Sequence, residues 1–400
     1  MKKSRWLALI ALLSAVMLLA AACGGDDDEG DGNGASGEGP SDCTWTIGTM
    51  GALSGDFATI GEPIFQGIEY AVAELNDAGE LACTIELVSE DSQGSPDQAP
   101  ALAQSLVEEE TLVGIVGPYF SGETLATGEI FSSAGVPFIC PSCTGATIDD
   151  QDFSTFFRAV ADDDVQGEVA GEYLASLGGT VAVVHDNQDY SKGIADKVAE
   201  TLGDSAEGPF VINPEETDYS SVVQQVNGVS PDIVFYGGYS PQAGPLAQQL
   251  KQGGVDALFV SDDGTKDAAF GELAGDAAEG VQVTCPCVDP LGIPEAEAFV
   301  EGINAEYDRN PGTFAADAYD ATNLIAEGLK EADADADVEE IRASLVEYIA
   351  GSSYQGITKS YTFTETGNLE IGPEGVYVYE WSNEDEDFVS LGPAGELIGE

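Results

Sequence analysis

Short apolar runs alternate with helical stripes along most of this chain. The run at 44–50, "TWTIGTM", is followed by apolar side chains at Ile64, Ile68, Val72 and Leu75. Their spacing of three to four residues predicts a helix with one buried face. Repeated alternation of such runs and stripes predicts an α/β fold, in which helices cover parallel sheets.

The same rhythm continues to about residue 285 and then changes. Ser95-Pro96 predicts the start of a helix, with serine as cap and proline in the first turn. After residue 294, three helical segments come in succession before a hairpin and two closing strands. This order indicates two α/β halves, with the chain returning to the first half late. The further predicted strands lie at 83–91, 111–117, 136–140, 180–186, 209–213, 232–238, 257–262 and 281–285.

The first residues predict export. Three basic residues precede an apolar run from Trp6 to Leu19, which is too short for a membrane span with these flanks. Small residues before Cys23 are similar to a bacterial lipobox, so residues 1–22 are predicted to be a lipoprotein signal peptide and Cys23 its lipidation site. Residues 23–42 are acidic and glycine-rich, and they are predicted to form a flexible tether. We therefore expect a lipid-anchored protein on the extracytoplasmic face of the cell membrane.

Charge is the most unusual feature of the composition. The chain carries 73 acidic and 12 basic residues, a formal net charge of −61. This excludes nucleic acid as a natural partner. It also repels anionic ligands at long range, whereas a neutral or zwitterionic ligand is unaffected.

Cysteine usage predicts disulfides. Apart from Cys23 the chain has an even number of cysteines, which in an exported protein indicates disulfide bonds. The only histidine, His185, argues against a zinc site, and neither a metal nor a cofactor is predicted. The candidate disulfide residues are Cys43, Cys83, Cys140, Cys143, Cys285 and Cys287.

The pair in "ICPSCTG", Cys140 and Cys143, has two interpretations. A Cys-x-x-Cys at a helix start is typical of thiol–disulfide oxidoreductases. The alternative is a disulfide that only stabilises a loop, and we favour it because no thioredoxin-sized unit is centred on this pair. Cys285 is then predicted to pair either with its near neighbour Cys287 or with the 140/143 loop.

Loops that follow predicted strands are where open α/β sheets bind ligands. Three such loops are 51–61, 118–124 and 141–145. Ser121 and Thr144 offer hydroxyl groups there, and a helix is predicted to begin at each of these two loops. Free N–H groups and the helix dipole at such a start favour a carboxylate. The alternative is that both hydroxyls only cap the helices, and the local pattern alone favours it.

The same loops resemble those of a known family. The order of "VGPYFSGET", "PSCTGAT", "VVHDNQDYSKG", "DIVFYGGY" and "FVSDDG" is similar to the substrate-binding proteins of branched-chain amino-acid ABC importers, of the type I periplasmic binding fold. The resemblance covers about 44–381. It implies two Rossmann-like lobes joined by three crossovers, with a ligand bound between them.

The resemblance also implies roles for the loops of the first lobe. The loops at 119–121 and 142–144 are expected to hold the α-carboxylate of the ligand through N–H groups and hydroxyls. The residues assigned in this way are Tyr119, Phe120, Ser121, Ser142, Cys143 and Thr144.

In the second lobe, the resemblance implies that Tyr190 and Tyr239 close on the ligand and that Asp263 binds its ammonium group. Three departures from the family pattern concern the ligand. Asp262 replaces a common proline, and Asp263 stands where the family usually has glutamate. Ile60 replaces an aromatic that often lines the side-chain pocket.

These observations predict a receptor without catalytic activity. The expected ligand is a small aliphatic amino acid, delivered to an ABC permease by a monomeric binding protein. The alternatives are the same fold binding an amide, urea or an aromatic acid, and the thiol–disulfide oxidoreductase described above. The predicted domains are 43–161 with 287–368 for the first lobe, and 162–286 with 369–400 for the second.

Overall fold

The structure is a computed structural model that describes residues 43–398. The predicted signal peptide (1–22), the tether (23–42) with Cys23, and residues 399–400 lie outside the described part. Between residues 43 and 398, no helix is both long and apolar enough to cross a bilayer.

A parallel sheet forms the centre of the first lobe. In the described part of the chain it has five strands, in the order β2-β1-β3-β4-β5. Every residue of β3 is buried, as expected of a central parallel strand. Because the strands are parallel, the loops that follow them meet at one edge. The strands are β1 Thr44–Gly51, β2 Thr84–Asp91, β3 Leu112–Val116, β4 Phe138–Cys140 and β5 Phe156–Arg158.

Helices from two separate parts of the chain pack on this sheet. Ile64, Ile68 and Val72 of the predicted stripe are buried, Leu75 is partly buried, and α1 packs along α10. Gly67 allows the close approach, because a Cβ atom there would lie 2.1 Å from the carbonyl oxygen of Ala315. The helices are α1 Ala58–Ala78, α2 Ala99–Val107, α3 Ser121–Ser133, α9 Glu297–Tyr307, α10 Ala315–Lys330 and α11 Val338–Gly351.

A second, mixed sheet forms the centre of the second lobe. Among residues 43–398 it has seven strands, in the order β14-β13-β10-β9-β8-β6-β7. Only the pairings of β13 with its two neighbours are antiparallel. The strands are β6 Val181–His185, β7 Ala206–Val211, β8 Ile233–Gly237, β9 Leu258–Ser261, β10 Gln282–Cys285, β13 Tyr377–Ser382 and β14 Asp387–Pro393.

The remaining elements complete the two lobes. A short ribbon of β11 and β12 follows α11, and an isolated bridge joins Phe363 to Leu369 as the predicted hairpin requires. The elements are α4 Asp163–Leu177, α5 Asp189–Leu202, α6 Ser220–Val229, α7 Ser240–Gln252, α8 Phe270–Ala274, α12 Ala394–Leu397, β11 Tyr354–Gln355 and β12 Ser360–Tyr361.

Three crossovers join the lobes in the described chain. The chain leaves the first sheet after Arg158, leaves the second after Cys285, and returns to it between Leu369 and Tyr377. At the first crossover the Arg158 N–H donates to the carbonyl of Gly367 at 2.8 Å, which ties the first crossover to the start of the third. The two-lobed α/β architecture is confirmed, while the exact domain limits stay a prediction.

The six described cysteines form three disulfides, two of them between near neighbours in sequence. Within residues 43–398 the disulfides are Cys43–Cys83, Cys140–Cys143 and Cys285–Cys287. The first joins the beginnings of neighbouring strands β1 and β2. The third resolves the open alternative in favour of pairing within the second crossover.

Two local predictions differ from the structure. The helix predicted to start at Ser95-Pro96 begins only at Ala99, because the carbonyl of Ser95 first accepts the N–H groups of Gln98 and Ala99 in a turn. The strand β5 was not predicted, since three residues are too few for an alternating pattern to show.

Candidate functional site

A small cavity lies between the two lobes, where β3 and β4 end on one side and β8 and β9 end on the other. Its interior volume is about 20 Å³, within a total empty space of about 300 Å³ that includes open solvent at its mouth. The position is the one expected for ligands of open α/β sheets. The lining residues are Ile60, Tyr119, Phe120, Ser121, Ser142, Thr144, Tyr190, Tyr239, Asp263, Gly264 and Phe314.

Two loops of the first lobe are tied together at this cavity. The Gly145 N–H donates to Ser121 Oγ at 3.0 Å, and Ser142 Oγ donates to the carbonyl of Tyr119 at 2.7 Å. Ser121 is the first residue of α3, so the N–H groups of that first turn have no partner within the helix. Ser121 keeps its hydroxyl proton available for a ligand, whereas the proton of Ser142 is already used.

Thr144 lies where the first lobe meets the second. Its carbonyl accepts hydrogen bonds from the Asp163 N–H at 2.7 Å and from the Arg158 guanidinium at 2.8 Å. Its hydroxyl is buried and has no hydrogen-bond partner among the described residues. The hydroxyl of Thr144 is therefore a free polar group at the cavity wall.

Asp163, the first residue of α4, is an acid whose side chain interacts with this hydroxyl. It is 1% exposed, and neither carboxylate oxygen makes a hydrogen bond of normal geometry with another described residue. Burial and the neighbouring Asp263 raise the pKa of Asp163 well above its usual range, and the nearby Thr144 hydroxyl opposes the rise. An unpaired buried carboxyl of this kind is costly unless a ligand supplies a donor.

The second lobe contributes a linked pair of side chains. Tyr190 Oη donates to Asp263 Oδ1 at 2.8 Å and accepts from the Gly264 N–H at 3.2 Å. A Cβ atom on Gly264 would lie 2.9 Å from the Tyr239 ring and 3.0 Å from the Tyr190 ring. Glycine at this position therefore lets both tyrosines pack against the loop that carries Asp263.

Asp262 is buried behind this pair. Its Oδ2 accepts the Gly238 N–H at 2.8 Å, and its Oδ1 has no partner among the described residues. Burial raises the pKa of Asp263 to about 6, against the effect of the Tyr190 hydroxyl. Burial and the charge of Asp263 raise the pKa of Asp262 well above its usual range. The second-lobe side thus concentrates carboxyl groups that prefer a positively charged partner.

Aromatic rings meet across the mouth of the cavity. Tyr239 of the second lobe lies 5.3 Å from Phe57 and 5.5 Å from Phe120 of the first, between ring centroids. It also lies 5.0 Å from Tyr190. Such contacts form only when the lobes are closed, and they exclude water from the polar groups beneath.

The arrangement is suited to a dipolar ligand. No lysine, arginine or histidine lies among the described residues that line the cavity. N–H groups and hydroxyls of the first lobe can accept a carboxylate, and carboxyls of the second can accept an ammonium group. In the stretch from 43 to 398, no group of three or more His, Cys, Asp or Glu is arranged to hold a metal ion.

Most of the residues predicted from the sequence come together here. Cys143 is the exception, because it does not line the cavity and its N–H donates to Cys140 Sγ at 2.8 Å. Cys140 and Cys143 are 0% and 1% exposed, which disfavours exchange with an external thiol. Those brought to the cavity are Tyr119, Phe120, Ser121, Ser142, Thr144, Tyr190, Tyr239 and Asp263.

Sequence reasoning missed Asp163, Phe57 and Phe314. Asp163 is one of three successive acids in "ADDDVQG", and only its position as first residue of a helix after the crossover distinguishes it. Phe314 precedes α10 and has a φ of 62°, a conformation that bulky residues rarely adopt. No sequence pattern marks Phe57, since its role depends on a ring from the other lobe.

A family model described as periplasmic binding protein matches residues 44–386. The chain belongs to the periplasmic binding protein family. Members of this family bind solutes, and the predicted resemblance to substrate-binding proteins of branched-chain amino-acid importers is confirmed.

Individual relatives agree with this membership. The chain is 30% identical to a leucine-, isoleucine-, valine-, threonine- and alanine-binding protein of Pseudomonas aeruginosa, over 84% of this chain and 90% of that protein. It is 28% identical to a Leu/Ile/Val-binding protein of Escherichia coli K12, over 83% and 89%.

A solved structure confirms the fold of this periplasmic binding protein. It is the isoleucine-bound substrate-binding protein of a branched-chain amino-acid transporter from Streptococcus pneumoniae. It superposes with a TM-score of 0.76 at 26% identity, and the match covers 88% of this chain and 100% of that one. The two Rossmann-like lobes of a type I binding protein are therefore the architecture of this chain.

Proposed function

We propose that this protein binds a small aliphatic amino acid, such as leucine, isoleucine or valine, between its two lobes. The observation that carries the proposal is the separation of the polar groups. Free donors lie on the first-lobe side of the cavity, and buried carboxyls lie on the second. A zwitterion stripped of water needs both, because an unpaired buried charge is very unfavourable. The names of the relatives support the same ligand class.

In this proposal each end of the amino acid has its own partners. The α-carboxylate accepts the first-turn N–H groups of α3 and the hydroxyls of Ser121 and Thr144. The ammonium group donates to Asp263 and Asp163. Tyr190 orients Asp263, and Tyr239 covers the side chain together with Phe120.

The binding step is then a closure. The ligand contacts both lobes, so it favours the closed form over the open one by the difference in its contacts. The closed form presents both lobes together to an ABC permease in the membrane, which takes up the amino acid. Acyl chains on Cys23 keep the receptor at the membrane surface. The receptor acts there as a monomer.

The ligand is tested by isothermal titration calorimetry of the purified protein without its first 22 residues. L-Leucine, L-isoleucine, L-valine, L-threonine and L-alanine are titrated singly, beside acetamide, urea and benzoate. We expect heat with aliphatic amino acids alone. Heat with an amide, urea or benzoate and none with any amino acid contradicts the ligand proposed here. Native mass spectrometry of freshly purified protein checks the result independently.

The anchor needs its own test. We expect the full-length chain, expressed in bacteria fed with radiolabelled palmitate, to incorporate the label and the Cys23→Ala variant to incorporate none. Label in the Cys23→Ala variant, or none in the wild type, contradicts lipidation at Cys23. The outcome is independent of which ligand the protein binds.

A further inference from the structure

One loop of the second lobe touches both the candidate ligand site and the first lobe. We define the latch loop as Asp262–Asp267, which connects β9 to the segment before α8. Near its start, Asp263 is bonded to Tyr190 at the cavity. Near its end, Lys266 and Asp267 make hydrogen bonds to residues of the first lobe. Within six residues, the loop therefore joins the candidate ligand site at Asp263 to the first-lobe contacts of Lys266 and Asp267.

Asp267 makes the first of these contacts. Its Oδ2 accepts a hydrogen bond from Thr59 Oγ1 of the first lobe at 2.7 Å. Ser240 Oγ donates to the same oxygen at 2.7 Å, and the Ala269 N–H donates to Oδ1 at 2.9 Å. Asp267 is 4% exposed. Because Ser240 and Ala269 belong to its own lobe, that lobe alone already holds the carboxylate in place. The hydroxyl of Thr59 can join it only when the lobes are closed.

Lys266 makes the second contact. Its carbonyl accepts a hydrogen bond from Thr313 Oγ1 of the first lobe at 2.7 Å. Its Nζ donates to the same Thr313 hydroxyl at 3.3 Å and lies 4.4 Å from the centroid of the Tyr379 ring. The ring and the hydroxyl hold a cation at the lobe boundary in a chain with few cations.

Both first-lobe partners adjoin the cavity. Thr59 precedes Ile60, and Thr313 precedes Phe314, and each of these apolar neighbours lines the cavity. The hydrogen bonds of Thr59 and Thr313 go to the latch loop instead. The interlobe bonds consequently flank the ligand site while making no contact with its interior.

We propose that the latch loop couples ligand capture to lobe closure through the Thr59–Asp267 and Thr313–Lys266 bonds. This inference rests on the proposed function. An ammonium group bound at Asp263 fixes the loop, and the fixed loop presents Lys266 and Asp267 to the first lobe. Thr59, Thr313, Lys266 and Asp267 are thus positioning residues, which set the population of the closed form without contacting the amino acid.

The thermodynamic consequence is specific. A bond made only in the closed form raises the closed fraction, and the apparent dissociation constant falls by the same factor. Losing such a bond weakens the binding of every ligand equally. It accelerates dissociation, because the closed complex opens more often. Selectivity among amino acids stays unchanged.

The test uses Thr59→Val, which removes the hydroxyl at an exposed position where the fold tolerates the change. Calorimetry with L-leucine, L-isoleucine, L-valine, L-threonine and L-alanine should show about three- to tenfold weaker binding of each amino acid that binds, in unchanged rank order. Stopped-flow measurement should assign the loss to faster dissociation. Thr59→Ser, which keeps the hydroxyl, should restore the affinity.

Ser54→Ala is the matched control. Ser54 lies in the loop that joins β1 to α1, shortly before Thr59, and its hydroxyl also donates to a carboxylate, but its partner Asp91 belongs to the first lobe. We expect Ser54→Ala to bind like the wild type. Wild-type affinity in Thr59→Val, or an altered rank order, would overturn the latch.

The two proposals fail in different ways. If the wild type binds none of the amino acids, the proposed function falls. The latch is then judged by small-angle X-ray scattering of the ligand-free proteins. A larger radius of gyration in Thr59→Val than in Ser54→Ala supports the latch, and equal radii overturn it.

Discussion

The two sides of the cleft differ in kind although both are built from strand ends of parallel sheets. The first-lobe side offers neutral donors: the first turn of α3 and the hydroxyls of Ser121 and Thr144. The second-lobe side offers Asp263, bonded to the Tyr190 hydroxyl, and the buried Asp163 lies near it. The Thr144 hydroxyl and the Asp163 carboxylate have no hydrogen-bond partner of normal geometry among the described residues. This difference between the two sides is what favours a ligand with both charges in the function proposed above.

The largest loss of affinity is expected when the second-lobe side of the cleft loses its negative charge. We expect Asp263→Asn to weaken the binding of L-leucine by about 100-fold, because removing one partner of a buried ion pair costs roughly 3 kcal/mol. Calorimetry measures the change. Asp256→Asn removes an exposed acid of the same lobe and should have no effect. Near-wild-type binding by Asp263→Asn would place the ammonium elsewhere.

Lowering the pH should remove the same negative charge on the second-lobe side without a substitution. Burial raises the pKa of Asp263 to about 6, so its charge is lost as the pH falls through that value. We expect the dissociation constant of L-leucine to increase about tenfold from pH 7 to pH 5. The Asp263→Asn variant should show a flatter profile. Binding that strengthens in acid would contradict this assignment.

Substitutions on the first-lobe side should lower the affinity less, because that side holds several donors and each of them is neutral. We expect Thr144→Val to lower the affinity for L-leucine about five- to tenfold, the loss typical of one hydrogen bond to a charged group. Thr144→Ser keeps the hydroxyl and should bind within about twofold of the wild type. If Thr144→Val and Thr144→Ser bind equally, the hydroxyl does not reach the ligand.

The smallest effect concerns the one acid in the first turn of α3. Glu123 is bonded to the Ser92 hydroxyl and the Phe120 N–H, so it takes no part in the donor side. We expect Glu123→Gln to change the affinity by less than about twofold. A large loss would show that the first-lobe side is not neutral.

Glu123→Gln should also alter the pH dependence of stability. Burial raises the pKa of Glu123 to about 7, above its unfolded value. Its proton therefore stabilises the folded state fully in acid, and this stabilisation is lost as the pH rises through about 7. We expect the wild-type melting temperature to fall by a few degrees, in order of magnitude, from pH 5 to pH 8, and less so in the variant.

Much of the fold was predictable because its signals are local. Continuous apolar runs such as 111–117 can be buried only in covered strands, and turns rich in glycine follow them. The loops of the site were predictable for the same reason, since they follow strands. A helix or turn begins beside Ser121 and Thr144, which drew attention to their hydroxyls, but the role toward a ligand was implied only by the resemblance to the family.

What could not be predicted depends on contacts between distant residues. Three successive acids lie at the start of α4, one capping it and two in its first turn, and only packing decides that Asp163 is buried while Asp164 is exposed. Phe57 acquires its role from Tyr239, more than a hundred residues away. The N–H of Cys143 is used by a disulfide sulfur, a fact of local geometry that no residue pattern encodes.

The late return of the chain has a consequence for biosynthesis. β10 pairs with β9 on one side and with β13 on the other, so one edge of β10 stays open until the segment Tyr377–Ser382 has been made. The helices of the first lobe that follow Cys285 are also made after β10, between residues 297 and 351. A nascent chain halted soon after Cys285 therefore exposes unfinished surfaces of both lobes, and neither lobe can be completed until most of the polypeptide has emerged.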